Sequence, residues 1–535
     1  MKRELNPEGI PIWRPIGPTP PPDCEAEQAA TVIVGGGPVG LTMALELGRR
    51  GHSVVLLNRL DFVAAGSKAI CFAKRTLDIW DRLGVAAPMV EKGVVWNIGK
   101  VFRGDNPAPI YQFDMLPVKH QKMPGFINLQ QYHVEDFLID ACAALPNIEL
   151  RWGHEVIGIE DNSGKTWLSV QTTQGRYSLA AEWVIACDGA RSPIRNMMGL
   201  DFDGRVFEDN FLIADVRIKE SLPAERWFWF DPPFNPGRSA LLHKQPDDVW
   251  RLDFQLGWNI DRGDSIRSEN VAKYVRGMLG EHVAFEEEWY SIYTFQCRRM
   301  ARFVHGRVIF AGDSAHLVSP FGARGCNGGI ADAANLGWKL DLILRNQAPA
   351  SLLESYDYEA IVTADQNILN SSRSTDFMTP KSIMSSTFHD AVLDLAEEHA
   401  FARPWVNSGR LSTAVAYPAS SLNTPDEPDA MWGGIAPGFP AVDGPLKHGW
   451  LLSGLGPGFT LLGRGDFAET CRGLPEDIRL LPVGDDNDVD GLISRRFDLH
   501  PGSAYLIRPD SYVAARWRRP SFKLVADALA RAQGK

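Results

Sequence analysis

A chain of 535 residues is longer than one ordinary core can organise, so two or three domains are expected. With 23% charged and 44% apolar residues it reads as globular and not disordered, and a formal charge of -11 without any Lys/Arg block argues against nucleic acid as a partner. Cysteines at 24, 71, 142, 187, 297, 326 and 471 form no pair at metal-ligand or redox spacing, so no metal site is expected and reduced cytoplasmic thiols are the plain reading. Glu4 and Glu8 followed by prolines replace the apolar core of a signal peptide, and no run of about 18 uncharged apolar residues marks a membrane span.

Residues 1–29 hold Pro7, Pro11, Pro15, Pro18 and Pro20 to Pro22, which predicts an extended arm lying against the body or a partner subunit. Thr31 to Leu57, TVIVGGGPVGLTMALELGRRGHSVVLL, then reads as strand, tight turn, helix and strand. Gly35, Gly37 and Gly40 stand at G-x-G-x-x-G spacing between those strands. The first takes the turn, the second lets a pyrophosphate approach the backbone, and the third lets helix and strand pack closely, with the helix N-terminus aimed at negative charge. A structural glycine turn is the alternative. RTLDIWDRLGV predicts a helix ended by Gly84, with Lys68, Lys74 and Arg75 in or just before it.

Another helix is expected from Gln131 to Leu145, followed by strands at Glu149 to Arg151, Val156 to Glu160, Trp167 to Gln171 and Tyr177 to Ala181. The apolar strand Trp183 to Cys187 ends in Asp188 and Gly189, the kind of turn through which an open α/β sheet presents ligand contacts. Between roughly 200 and 300 the segments Phe211 to Val216, Trp227 to Phe230, Ser239 to His243, Val249 to Gln255 and Glu287 to Tyr293 predict an antiparallel sheet with one face available for a pocket. Val308 to Phe310 restores the buried-strand pattern. It leads into AGDSAHLVSPFGARGCNGGIADAANLGWKLDLIL, where Gly312, Asp313, Gly322, Gly325, Asn327 and Gly328 cluster before a long helix. Helices are expected over Leu352 to Leu369 and Ala391 to Ala402, a linker from Tyr417 to Pro440, and a small α/β unit from Pro445 onward.

Gly35 to Gly40, the Asp188-Gly189 turn, and Gly312-Asp313-Ser314-Ala315-His316 through Asn327, followed by DAANLGWKL, together resemble the single-component FAD monooxygenases that hydroxylate phenols. The linker and tail also resemble the redox-silent, thioredoxin-like C-terminal domain of the phenol hydroxylase and hydroxyphenylpropionate hydroxylase branch. Here that tail has only Cys471 and therefore no dithiol. The implied fold is α/β. It comprises a proline-rich arm (1–29), a Rossmann-like FAD-binding domain (30–199 and, with helices, 301–415), an inserted antiparallel substrate sheet (200–300), a linker (416–444) and the C-terminal domain (445–535).

Carried over by position, the resemblance implies that Gly35, Gly37, Pro38 and Gly40 hold the ADP part of FAD. Asn58 and Arg59 end the second strand, with Asn58 replacing the acid expected at the adenosine ribose. Gln131 matches a glutamine near the ribityl and phosphate region, and Asp188 and Gly189 match a turn serving FAD and linked with nicotinamide binding. Gly312 and Asp313 would meet the ribityl hydroxyls, and Pro320, Gly325, Cys326 and Asn327 the isoalloxazine, while His316 is structural. Arg324 stands where glutamine is common. It either attracts an anionic substrate or a flavin phosphate, or forms a surface salt bridge.

The implied reaction is reduction of FAD by NADH or NADPH, followed by oxygen transfer from a flavin C4a-hydroperoxide to a phenol or phenolic acid, ortho or para to its hydroxyl. Related proteins oxygenate polyketides and antibiotics, which is the alternative; a non-catalytic flavin-binding protein is the other class of reading. His243, Arg251 and Tyr293 are the candidates for handling the phenol proton, Pro320 borders the reacting atoms, and Trp227, Trp229 and Phe254 are candidate ring contacts. A homodimer is expected from the resemblance.

Overall fold

The computed structural model describes residues 5–6, 10–66, 68–116, 118–162, 164–219, 222–406, 411–427, 431–465 and 473–535; Pro7, Glu4, Glu8 and Cys471 lie outside these. Four strands, Ile148–Trp152, Val54–Asn58, Ala26–Val34 and Gly175–Ala186, lie side by side and parallel, and Val308–Phe310 joins the last of them. The buried apolar runs Val32–Val34, Val54–Leu57 and Trp183–Ala186 in the three inner strands are those of strands covered on both faces. Val34, Ala186 and Phe310 share one register level, so the turns that follow them open at the same edge of the sheet. That common edge, where the chain order reverses about the central strand, is where an α/β sheet receives its ligand.

The helix Pro38–Gly48 packs against the long helix Gly325–Leu344. The contact is close because a Cβ at Gly329 would lie 2.6 Å from Val39 Cγ2, and one at Gly337 would lie 2.7 Å from Glu46 Cβ. Part of the glycine richness of the 312–337 stretch therefore serves helix packing. The two strands expected at 177–187 are one, Gly175–Ala186. Its first half pairs antiparallel with Lys165–Thr172 and its last residues pair parallel within the central sheet.

The inserted sheet has eight strands, in the order His316–Leu317, Phe285–Arg299, Asp203–Ile218, Val249–Gly257, Ser239–Lys244, Arg226–Phe230, Ile98–Arg103 and Tyr111–Asp114. It therefore draws three strands from outside 200–300, and Arg226–Phe230 pairs parallel with Ile98–Arg103, correcting the purely antiparallel expectation. Such a pairing joins segments over 100 residues apart, which local alternation does not encode. A helix the periodicity did not suggest, Ser268–Leu279, buries Val271 and Val275 against one face, together with Trp250 and Phe254, while Trp227 and Trp229 pack beside them. On the opposite face Phe230, Leu241, Phe211 and Phe295 pack with Phe321 and Met378. Trp227, Trp229 and Phe254 thus point away from the central sheet, because side chains alternate along a strand.

Beyond a helix Leu353–Met378, the segment expected to be a linker is docked: the Tyr417 and Thr363 hydroxyls are 2.8 Å apart and Ser420 Oγ donates to Glu359 at 2.6 Å. The tail forms a sheet in the order Arg479–Pro482, Thr460–Gly463, Ala504–Ile507, Val513–Trp517, with the first two strands parallel and the other pairings antiparallel. Helix Phe522–Ala532, whose N-cap Ser521 accepts from Leu524 N, closes it. The N-terminal arm lies against the body, with Ile12–Pro15 pairing with Phe62–Ala64 and Trp13 stacking on Tyr132 at 4.1 Å. Among the described residues no helix is long and apolar enough to cross a membrane.

Candidate active site

At the common sheet edge, Gly35 has φ +114° and a Cβ there would sit 2.3 Å from Cys187 O; one at Gly40 would sit 1.9 Å from Gly35 O. Gly37 is different. It has φ -79°, and nothing lies within 4 Å of a Cβ built on it. No protein contact requires glycine there, and the open space lies at the N-terminus of Pro38–Gly48, where Pro38 takes the first helical position that its missing N–H suits. This cradle fits a pyrophosphate. Asn58 Oδ1 accepts from Gly36 N at 2.9 Å and its Nδ2 donates to Leu60 O at 3.0 Å, so the side chain that replaces the expected acid pins the turn. Arg59 is exposed beside it.

Asp188 Oδ2 accepts from Ile194 N at 3.0 Å, tethering the short helix Pro193–Met197, while its Oδ1 is buried with no partner among the described residues. Burial raises the pKa of this carboxyl. Gly312, with φ +68°, donates its N–H to Asp332 Oδ2 at 3.0 Å, and the same oxygen meets His316 Nε2 at 2.6 Å. His316 is buried and holds the turn. Asp313 is open to solvent, yet the surrounding protein desolvates it enough to raise its pKa. An outward carboxylate there suits the hydroxyls of a ribityl chain.

Asn327 uses its whole amide. Oδ1 accepts from Ala73 N at 2.9 Å and Thr76 Oγ1 at 2.6 Å, while Nδ2 donates to Cys71 O at 2.9 Å and Ala323 O at 2.6 Å. It therefore locks the start of the long helix, beside Gly325, to the 71–76 segment. Cys326 is half-buried and its thiol pKa is raised by burial and then by Asp313 and Glu135. Gln131 starts the helix Gln131–Ala143, accepts from Ala69 N at 3.1 Å and donates to Glu135 Oε1 at 2.8 Å. Glu135, not singled out in the sequence, has its pKa pushed up to about 7, first by burial. Its i,i+4 spacing from Gln131 was the available signal.

Between the inserted sheet and the Pro320–Ala323 turn, which closes with Ala323 N donating to Pro320 O at 2.9 Å, lies a hollow lined by Phe113, Phe228, Phe230, Phe321, Arg226 and Arg324. Pro320 is exposed and Gly189, in the turn after Ala186, is half-buried. Arg324 does not form a surface salt bridge: it is 8% exposed and donates to Asn367 Oδ1 at 3.4 Å and Leu411 O at 3.2 Å.

The three proton-handling candidates share the face of the inserted sheet that carries Phe211, Phe230 and Leu241, but not one environment. Arg251 is clamped by Asp215 through two 2.8 Å bonds. His243 is buried, 3.5 Å from Asp253 Oδ2, and burial followed by the Arg226 charge pushes its pKa down to about 4. Tyr293 is 38% exposed, and burial of its hydroxyl and the nearby Asp313 push its pKa up to about 12. Arg226, directly opposite His243 on the neighbouring strand, was missed; its signal was the alternation Arg226, Phe228, Phe230.

A dinucleotide cradle, an outward carboxylate and a hollow facing a second sheet define a flavin-dependent oxidoreductase architecture. The FAD binding domain family matches residues 28–371, and the chain belongs to it. It is a single-component FAD-dependent aromatic hydroxylase, with FAD as prosthetic group and NAD(P)H as electron donor. A probable NADH-specific resorcinol 4-hydroxylase from Rhodococcus jostii (strain RHA1) is 28% identical over 92% of this chain and 93% of its own length. The 12-dehydrotetracycline 5-monooxygenase/anhydrotetracycline 6-monooxygenase of Streptomyces rimosus subsp. rimosus is 31% identical over 61% of this chain and 65% of its own length. Among solved structures, the flavin-dependent monooxygenase PieE in complex with FAD and substrate superposes with a TM-score of 0.80 at 23% identity, covering 96% of this chain and all of that one, which shows the shared fold.

Proposed function

We propose that the chain hydroxylates an aromatic substrate larger than a simple phenol, of the polyketide or antibiotic kind, at a carbon ortho or para to a ring hydroxyl. One oxygen atom of O2 enters the ring C–H bond, the other leaves as water, and NAD(P)H supplies the two electrons. The observation that carries an aromatic substrate is the aromatic-walled hollow between the inserted sheet and the Pro320–Ala323 turn. The similarity to the tetracycline monooxygenase supports the larger substrate. A simple phenol or phenolic acid is the second reading, supported by the resorcinol relative, whose alignment spans nearly the full length of both chains.

Bound FAD supplies the redox chemistry. In our reading Gly35, Gly37, Pro38 and Gly40 receive its pyrophosphate at the helix N-terminus, and Asp313 and Gly312 receive the ribityl hydroxyls. Asn58, Arg59 and Gln131 border the nucleotide, Asp188 and Gly189 offer the unpaired Oδ1, and Gly325, Cys326 and Asn327 back the ring system beside Pro320. Phe228, Phe230 and Phe321 exclude water from the reacting carbon. Tyr293, protonated at neutral pH, is suited to donating a hydrogen bond. His243 is neutral there and Arg251 is committed to Asp215, so both act by shaping the wall.

The tail's strand order, with two parallel strands followed by an antiparallel pair and a helix, supports a thioredoxin-like domain at 445–535. The boundaries 30–199, 200–300, 301–415 and 416–444, a cytoplasmic setting and a homodimer complete the reading. The test is NAD(P)H oxidation by the FAD-loaded chain over a panel of phenols and polycyclic aromatics, with O2 uptake, H2O2 and product mass followed together. A polycyclic substrate that accelerates oxidation and gains one oxygen with little H2O2 supports the proposal; stimulation confined to simple phenols replaces it with the second reading.

A further inference from the structure

We propose that the N-terminal arm is a clasp for the adenosine end of FAD: residues 12–19 tie together the segments that border that end and so set how tightly the nucleotide is kept. This rests on the reading of the sheet-edge turns as the FAD cradle. The arm lies outside the matched family region, residues 28–371. At the cradle, Gly36 is walled by Asn58 and Trp152, since a Cβ on it would lie 2.9 Å from Asn58 Cγ and 3.1 Å from Trp152 Cζ3. Asn58 and Trp152 are paired neighbours in the sheet. Asn58 has spent its amide on Gly36 N and Leu60 O, so this strand end gives no carboxylate to a ribose.

The arm holds this wall from outside. Thr19 N donates to Trp152 O at 2.8 Å, Thr19 Oγ1 accepts from Trp152 N at 3.0 Å, and His154 Nε2 meets Thr19 O at 3.0 Å. Ile16 N and Gly17 N both donate to Asp61 O, at 3.1 and 2.9 Å, beyond the strand pairing of Ile12–Pro15 with Phe62–Ala64. The same arm grips the helix that Gln131 starts. Trp13 stacks on Tyr132, its indole N–H donates to Asp136 Oδ2 at 2.6 Å, and Arg14 lies 3.3 Å from Asp136 and 3.1 Å from Asp140. Those two carboxylates stand at i,i+4 and repel one another, and Arg14 supplies a cation to both. Its partly exposed ion pairs contribute little, so the backbone bonds and the Trp13 contacts carry the docking. A wall ordered beforehand need not be ordered when the ligand arrives, and that saving appears as affinity. The arm thus supplies, by holding the wall, retention that a ribose-binding carboxylate would otherwise give.

The experiment uses the full chain with FAD, ADP and FMN as probes. Hydrogen exchange of the unaltered protein is followed at the amides of Ile16, Gly17 and Thr19. Linkage is reciprocal, so a nucleotide that the arm holds about tenfold more tightly slows opening of the arm by up to the same factor. The expected result is exchange slowed several-fold by FAD and by ADP, and unchanged by FMN, which lacks the adenosine. Saturating FAD that leaves these amides exchanging at the apo rate overturns the proposal, independently of how any variant folds. In Trp13→Ala, calorimetric titration should show FAD and ADP weakened about tenfold and FMN unchanged, with Trp13→Phe retaining part of the affinity. Equal weakening of FMN assigns Trp13 to general stability and overturns the proposal, as does unchanged FAD affinity. If FAD binds tightly while the arm is indifferent to it, the cradle reading stands and this inference alone falls; if neither FAD nor ADP binds, both fall.

Discussion

Arg508 in the C-terminal unit and Glu359 in the helix Leu353–Met378 form a two-pronged ion pair, at 2.6 and 2.8 Å, with both side chains fully buried. Glu359 also receives Lys339 Nζ at 2.9 Å and Asn335 Nδ2 at 2.6 Å from the long helix whose start borders the proposed flavin ring site. The knot therefore ties the tail to the element that backs the site. Burial alone would raise the Glu359 pKa, but Arg508 and Lys339 outweigh it and hold the carboxyl well below the ordinary range. Its stabilisation is present above the unfolded-state value of 4.5 and is lost only as pH falls through the lower folded value. Glu359→Gln leaves Lys339 without its carboxylate and Arg508 with Asp510 alone, and should cost about 3 to 5 kcal/mol. The denaturant midpoint at pH 7 checks it, and a loss under 1 kcal/mol would mean that water reaches the knot.

Gly37 and Gly40 separate ligand space from packing. Alanine at Gly40 meets the Gly35 carbonyl, so Gly40→Ala should destabilise the chain even without cofactor. Alanine at Gly37 meets no protein atom and finds an ordinary backbone conformation. Gly37→Ala should keep the apo-protein melting temperature within about 2 °C, a change of under ~0.5 kcal/mol, while weakening FAD binding tenfold or more. Calorimetry of apo-protein alongside a flavin-fluorescence titration reads the two effects separately.

The contrast also marks what could be read from the chain alone. The strand-turn-helix-strand unit is legible because its period changes from buried run to helix within 27 residues, all local in sequence. The expected helix Gln131 to Leu145 matches Gln131–Ala143 for the same reason. Legibility ends where partners are remote. Ile98–Arg103 shows no sign of its parallel neighbour Arg226–Phe230, and nothing near Asn58 announces that its amide will be consumed by Gly36 and Leu60. Gly329 and Gly337 give close room to Val39 and Glu46 of a helix almost 300 residues earlier in the chain, which their local spacing does not announce.

His243 carries a pH signature of opposite origin to that of Glu359. Its imidazole has a folded pKa near 4 against an ordinary 6.5, so the unfolded chain binds the extra proton between those values and stability rises with pH across that window. The contribution is complete above pH 6.5 and is lost as pH falls toward 4, amounting to roughly 3 kcal/mol at most. Denaturant titrations from pH 7 to 4 on the parent and on His243→Gln should show a shallower pH dependence in the variant. Parallel curves would mean that His243 stays accessible to water.

The final prediction uses the two faces of one strand. Phe228 and Trp229 are neighbours in sequence, equal in hydrophobic character and both half-buried, yet alternation sends them to opposite sides of the inserted sheet. Phe228 borders the hollow and lies 4.7 Å, ring centre to ring centre, from Phe230. Trp229 stacks on Phe102 at 5.2 Å and meets Phe234 edge-on at 5.8 Å, on the side covered by the helix Ser268–Leu279. Phe228→Ala should therefore raise KM about tenfold, the loss of one aromatic wall, and increase the fraction of NAD(P)H that ends as H2O2 because water gains entry. Trp229→Ala should instead lower stability by about 2 kcal/mol, with KM and the yield of hydroxylated product per NAD(P)H close to those of the parent. Measuring KM, H2O2 yield and thermal midpoint on both variants gives a crossed pattern if the faces are assigned correctly. If Trp229→Ala uncouples the reaction while Phe228→Ala only melts earlier, the substrate lies on the helix-covered face and the hollow beside Pro320 is not its pocket.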